Sequence, residues 1–234
     1  MSAMIRIKRL RIEHNKKVLV DLAFGIEKAL ALVGQSGSGK SLTLKALLGM
    51  LPPSMTCDLD VEAPFELLRG ETVAFVPQNP FTALSPLTKI GEHFEGVTKA
   101  EAVELMQQVG LDVALMDRFP PELSGGQLQR AVIAIALSHA PKLLLLDEPT
   151  TALDPETRKV IIALLKGLQE TLGFKMLFVT HDIVSARALC DEVCVIRHGS
   201  VVEQGRMQRV MVAPGDHYTR TLIEASFSGR EFRT

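Results

Sequence analysis

The stretch Gly34-Gln35-Ser36-Gly37-Ser38-Gly39-Lys40-Ser41 follows the apolar run Ala29–Val33 and precedes Leu42-Thr43-Leu44-Lys45-Ala46-Leu47-Leu48. That order reads as a strand, a tight glycine turn and a helix. It carries the full pattern G-x-x-x-x-G-K-[ST] in the context that gives the pattern meaning. Glycines let successive backbone N–H groups turn toward phosphate oxygens, and the helix start adds the positive end of its dipole. Lys40 has the reach for β- and γ-phosphates, and the Ser41 hydroxyl is a ligand suited to Mg2+. A chance glycine turn between strand and helix is the competing reading, and eight matched positions with both flanks in place argue against it. The stretch is expected to bind a nucleoside triphosphate.

Upstream, Ile5, Ile7, Leu10 and Ile12 come near alternation among basic residues, and Val18-Leu19-Val20 follows the polar turn Asn15-Lys16-Lys17. These are expected to be edge strands of a small antiparallel sheet. Residues 49–72, interrupted by Pro52-Pro53 and Pro64, read as short strands and loops. Val73–Val76 is a short apolar strand that ends at Pro77-Gln78.

From Asn79 onward helices dominate. Thr98 and Glu101 have capping-box spacing, and Val103, Met106 and Val109 follow before a stop at Gly110. A second, strongly apolar helix, Leu128–Leu137, begins at the turn Ser124-Gly125-Gly126. Leu143–Leu146 is a continuous apolar run ending in Asp147-Glu148, as a strand buried on both faces reads. Val160, Ile161, Leu164, Leu165 and Leu168 form a helical stripe stopped by Gly173. The strand Lys175–Thr180 ends at His181-Asp182, and a hairpin is expected around His198-Gly199.

Strands alternating with helices around a phosphate loop define an α/β class: a P-loop NTPase core with a parallel sheet, a small antiparallel β-subdomain and an inserted α-helical subdomain. The expected layout is a single domain over residues 1–234, with core and β-subdomain at about 1–78 and 139–234 and helical subdomain at about 79–138.

At 234 residues the chain can bury a full core, and 47% apolar content with a net charge of −1 is that of an ordinary soluble protein. Near-neutral balance supplies no general attraction to nucleic acid or anionic lipid. Trp is absent and Tyr218 is the one tyrosine, so base-stacking platforms are lacking. Cys57, Cys190 and Cys194 make no even disulfide set and no zinc spacing. They are expected to be buried small apolar residues in a reducing compartment, although a metal pair at Cys190 and Cys194 is conceivable. His93, His139, His198 and His217 show no metal spacing. Met1–Arg11 has no apolar core of signal-peptide length, and no apolar run approaches the ~20 residues that span a bilayer. The chain is therefore expected in the cytoplasm, with any membrane role arising through a partner.

Further short motifs stand where strands end or helices begin. Leu123-Ser124-Gly125-Gly126-Gln127, Leu143–Asp147 followed by Glu148, Ala152-Leu153-Asp154, His181 and Gln78 together resemble the ATP-binding cassette (ABC) family, specifically the ATPase subunits of membrane transporters. They match its signature motif, Walker B strand with catalytic glutamate, D-loop, switch histidine and Q-loop, in the family's order along essentially the whole chain.

The resemblance implies ATP and Mg2+ as cofactors. Asp147 would join Ser41 as a magnesium ligand, and Glu148 would polarise the attacking water. His181 would sense the γ-phosphate, while Gln78 would approach the metal or the water. Ser124, Gly126 and Gln127, with Asp154, would act in trans on the nucleotide of a facing subunit. His14 stands about where relatives place an aromatic residue on adenine. Leu42 replaces a frequent hydroxyl residue but keeps its backbone N–H.

Gln78–Pro86 and His217-Tyr218-Thr219-Arg220 resemble elements of peptide and nickel importers. Many peptide importers continue into a cysteine-bearing tail, and lacking it resembles the nickel type; nickel and peptide both stay open. Implied partners are an integral membrane permease, a second ABC ATPase subunit (identical or paralogous) and an extracytoplasmic solute-binding protein, with no nucleic acid. A coupling helix of the permease would enter near residues 79–94. The implied location is peripheral, on the cytoplasmic face of the inner membrane. The rival is a soluble cassette ATPase of nucleic-acid maintenance or translation, but the coiled-coil insertions and tandem cassettes usual there are missing. A non-hydrolysing assembly subunit conflicts with Glu148.

Overall fold

The computed structural model describes residues 4–151 and 153–231. In chain order the elements are β1 (Ile5–His14), β2 (Lys17–Ile26), β3 (Ala29–Val33), α1 (Lys40–Leu47), β4 (Met55–Glu62), β5 (Val73–Val76), α2 (Lys99–Gln108), α3 (Gly125–Leu137), β6 (Leu143–Asp147), α4 (Pro155–Leu172), β7 (Lys175–Thr180), α5 (Ile183–Arg187), β8 (Glu192–Arg197), β9 (Ser200–Arg206), α6 (Met207–Val212) and α7 (His217–Glu231). The chain divides into two compact units, one holding residues 1–67 and 175–234, the other residues 68–174.

In the first unit the strands lie in the order β4-β1-β2-β9-β8-β3-β7. β3 runs parallel to β7 and to β8, and every residue of β3 and β7 is buried. Covering on both faces accounts for the unbroken apolar run Ala29–Val33. β1 pairs antiparallel with β2 and with β4, and β8 with β9. The imperfect alternation of β1 has a cause: the register shifts between Ile7 and Leu10, so Ile5, Ile7, Leu10 and Ile12 are all buried. The β1–β2 turn places Asn15 and Lys16 at φ 51° and 63°, the left-handed pair that a two-residue hairpin needs.

Three expectations need correction here. Neither β1 nor β2 is an edge strand: β1 lies between β2 and β4, β2 lies between β1 and β9, and β4 is the edge. The prolines of residues 49–72 stand outside β4, at Pro52-Pro53 before it and Pro64 after it, so they delimit a full strand. Cys57, expected to be buried with the other two, lies on that edge strand and is exposed; Cys190 and Cys194 are buried as expected.

In the second unit β5 and β6 pair in parallel from Val73↔Leu143 to Val76↔Leu146. Leu143–Leu146 are fully buried. Helices α2 and α3 fall between these strands in the chain and pack on each other. The expected capping box is present at α2, where Thr98 N donates to Glu101 Oε2 at 2.7 Å. Helix α4 starts on an Asp154 cap with Pro155 in its first turn and stops at Gly173, φ 74°. It buries Ile161, Ile162, Leu165 and Leu168, each contributing about 1.5–3 kcal/mol. Val160, assigned to that stripe by spacing, is 53% exposed because it falls on the opposite flank of the helix.

Candidate nucleotide site

The first unit carries the phosphate loop. Strand β3 delivers Gly34, and Lys40 begins α1. Gly37 and Gly39 take φ of 77° and 104°, where a side chain would be strained. A β-carbon on Gly34 would stand 2.4 Å from the Ile196 carbonyl oxygen, and one on Gly39 2.7 Å from a Val20 methyl. Close packing against β8 and β2 therefore requires glycine at both positions. Gln35, Ser36, Gly37 and Ser41 are exposed, whereas Gly34, Ser38 and Lys40 are buried and Leu42 is half-buried.

Lys40 Nζ donates to the carbonyls of Gly34 at 2.7 Å and Gln35 at 3.1 Å, folding its ammonium over the turn. Ser38 N donates to Gln35 O at 3.2 Å, and the buried Ser38 Oγ has no hydrogen-bond partner among the described residues. A glycine cradle that excludes β-carbons, an ammonium held across it and an orphaned buried hydroxyl fit a triphosphate.

His181 is exposed and directly follows Thr180 of β7. Thr180 pairs with Val33 of β3, so Gly34 and His181 leave adjacent parallel strands one residue past the same rung. His14 is the last residue of β1, across from Lys17 on one side and Met55 on the other.

The second unit holds the remaining predicted residues. Val76 pairs with Leu146, so Gln78 and Glu148 each stand two residues past one rung. Gln78 is exposed; Asp147 and Glu148 are half-buried. Glu148 has φ 45°, a left-handed conformation that costs a non-glycine residue about 1–3 kcal/mol and clusters at functional sites. Its Oε2 accepts from Thr151 Oγ1 at 3.0 Å.

Also in that unit, Ser124, Gly126, Gln127 and Asp154 line one cleft of about 680 Å3 where the N-termini of α3 and α4 open together. Ser124 and Gln127 form a capping box at α3, Ser124 N donating to Gln127 Oε1 at 3.0 Å. Asp154 Oδ1 accepts from the amides of Glu156 at 3.1 Å and Thr157 at 3.0 Å. Hydrogen bonds from the Thr157 side chain, and then from its amide, hold the Asp154 carboxyl below its usual range. Two helix dipoles directed at one cleft favour an anion there. Ala152 of the expected D-loop lies outside the described residues.

Three residues escaped sequence reasoning. Thr157 touches the signature turn: its methyl would meet any β-carbon on Gly126. Arg130 ties that turn to α2, donating from Nη1 to Gly110 O at 2.7 Å and from Nε to Gly126 O at 3.3 Å. Tyr218 accepts from the Gln35 amide at 2.9 Å. For Tyr218 the one available signal was its place in His217-Tyr218-Thr219-Arg220.

A phosphate loop between a buried parallel strand and a helix, with an acidic strand end two residues past a shared rung, defines a phosphate-loop nucleoside triphosphatase. Residues 19–151 match the protein family described as ABC transporter. The peptidoglycan transport ATP-binding protein YejF of Agrobacterium fabrum is 40% identical over 228 residues, covering 86% of this chain. The chain spans 42% of that relative's length. The nickel import ATP-binding protein NikD of Brucella abortus is 37% identical, covering 93% of this chain and 91% of the relative. The dipeptide transport ATP-binding protein DppD of Lactococcus lactis is 36% identical, covering 89% of this chain and 68% of the relative. Among solved structures, cbiO1 from Clostridium perfringens, described as part of the ABC transporter complex cbiONQ, superposes with a TM-score of 0.76 at 25% identity. That match covers 100% of this chain and 97% of the other. The chain belongs to the ABC transporter family, as an ATP-binding component and ATPase within it.

Proposed function

We propose that this chain powers an ABC importer of nickel or peptides, hydrolysing ATP to drive a separate membrane permease. The carrying observation is the pair of shared rungs, Val33↔Thr180 and Val76↔Leu146, which set Gly34 with His181 and Gln78 with Glu148 at strand ends. Names of relatives, peptidoglycan, dipeptide and nickel transport among them, support import of small solutes.

In this reading the loop Gly34–Ser41 and the Leu42 amide hold the triphosphate, with His14 against the base. Ser41 and Asp147, with Gln78, hold Mg2+, which neutralises phosphate charge when bound. Glu148 accepts a proton from the attacking water, and His181 donates to the γ-phosphate. Ser124, Gly126, Gln127 and Asp154 serve the nucleotide of a facing ATPase subunit, identical or paralogous. The whole chain works as one ATPase domain, with residues of about 79–138 as its helical part.

Among the described residues no helix is long and apolar enough to cross a membrane. From its family and its import-subunit relatives, we place the chain peripherally on the cytoplasmic face of the inner membrane, bound to the permease, with an extracytoplasmic protein delivering solute. The test is Glu148→Gln: turnover should fall by about 10²–10⁴-fold while ATP binding persists. Tagged and loaded with ATP, that variant should retain an integral membrane permease from detergent-solubilised membranes. Normal turnover, or capture of soluble partners alone, refutes the reading.

A further inference from the structure

The C-terminal helix reaches back to the phosphate loop. Tyr218, near the start of α7, is buried, and its hydroxyl accepts the Gln35 N–H at 2.9 Å across 183 residues of sequence. The peptide unit that carries this N–H has the Gly34 carbonyl at its other side, which accepts from Lys40 Nζ at 2.7 Å. The next carbonyl, that of Gln35, accepts from Ser38 N at 3.2 Å and from Lys40 Nζ at 3.1 Å. One peptide unit thus connects the phenol to the ammonium that meets the phosphates.

The phenol is itself held firmly. The Arg197 guanidinium carbon lies 4.9 Å from the ring centroid, a cation–π contact. Tyr218 N donates to Asp216 Oδ1 at 2.7 Å. Glu203, 7% exposed, accepts from the amides of Gly215 at 2.8 Å and Asp216 at 3.1 Å. Beside Arg197, the β8–β9 turn makes a second attachment, Gly199 N donating to Ser38 O at 3.0 Å.

We propose that Tyr218 is a positioning residue for triphosphate binding: by fixing the Gln35 peptide it presets Lys40, so the state of α7 sets nucleotide affinity. This rests on the phosphate-loop reading above. A hydrogen bond of this kind changes binding by about three- to tenfold. It acts before chemistry, so it moves affinity and KM and leaves kcat unchanged.

The chain has one tyrosine and no tryptophan, so ultraviolet-excited emission reports Tyr218 itself. Inorganic tripolyphosphate with Mg2+, which lacks a base to absorb light, is the probe. Titration should shift tyrosine emission and saturate in the unaltered chain, and the shift should vanish in Lys40→Ala. Tyr218→Phe keeps the ring and its contact with Arg197 and removes only the hydroxyl. It should weaken Mg-ATP binding and raise KM about three- to tenfold at unchanged kcat. Unchanged affinity in Tyr218→Phe, or tyrosine emission indifferent to tripolyphosphate while Mg-ATP binds, overturns the positioning role alone. Failure of the unaltered chain to bind either phosphate overturns both this inference and the proposed function.

Discussion

The γ-methyl of Thr157 lies 2.7 Å from the point where a β-carbon on Gly126 would stand. The constraint is tertiary. Gly126 is the second residue of α3, where alanine is otherwise the better helix former. Gly126→Ala should therefore destabilise by about 1–3 kcal/mol through overpacking, not through the backbone. Thr157→Ser deletes the methyl and keeps the hydroxyl that bonds Asp154. In a double-mutant cycle read by thermal unfolding and ATPase rate, the pair should recover most of the single variant's loss. Strict additivity would show that the contact is not the cause.

Arg130 should behave as a fork that a simple cation cannot replace. Its Nη1 and Nε reach Gly110 O and Gly126 O together. Arg130→Ala should cost about 1–3 kcal/mol, and Arg130→Lys should restore little of it, because an ammonium lacks the planar pair of donors. Denaturant unfolding of both variants gives the comparison, and a fully stable lysine variant would contradict it.

Acid should loosen the clamp that positions α7. Burial pushes the Glu203 carboxyl up, but the bonded amides of Gly215 and Asp216 carry it below its ordinary value. A carboxyl depressed in the folded chain stabilises above its unfolded pKa and loses that contribution as pH falls through the folded value. The gap in Tm between the unaltered chain and Glu203→Gln should thus be constant above about pH 5 and shrink below the glutamate reference of 4.5. A gap that widens on acidification would reverse the assigned sign.

One thiol should be labelled in the native chain. Cys57 is exposed on β4, although partial burial and then Asp58 raise its pKa. Burial pushes Cys194 up to about 12 and Cys190 further in the same direction. Iodoacetamide should modify Cys57 alone, faster as pH rises, and all three cysteines only after unfolding. Native labelling that survives Cys57→Ser would contradict the burial of the other two.

The phosphate loop, the capping box at Thr98, the helix start at Ser124 and the buried runs at Ala29–Val33 and Leu143–Leu146 were legible from the chain alone. Each is decided within about ten residues, by glycine's missing β-carbon, by a side chain reaching an amide three residues on, or by apolar length. Glu148 and His181 could be placed too, because the residue after a buried strand must surface at its end. Pairing decided the rest. Which strand flanks β1 settled that β4 is the edge and that Cys57 is exposed, since neighbours in a sheet need not be neighbours in sequence. The need for glycine at position 126 came from Thr157, and the holding of Gln35 came from Tyr218, 183 residues away. Local propensity carries no record of such approaches, because they arise only when folding brings distant surfaces within a van der Waals or hydrogen-bond distance.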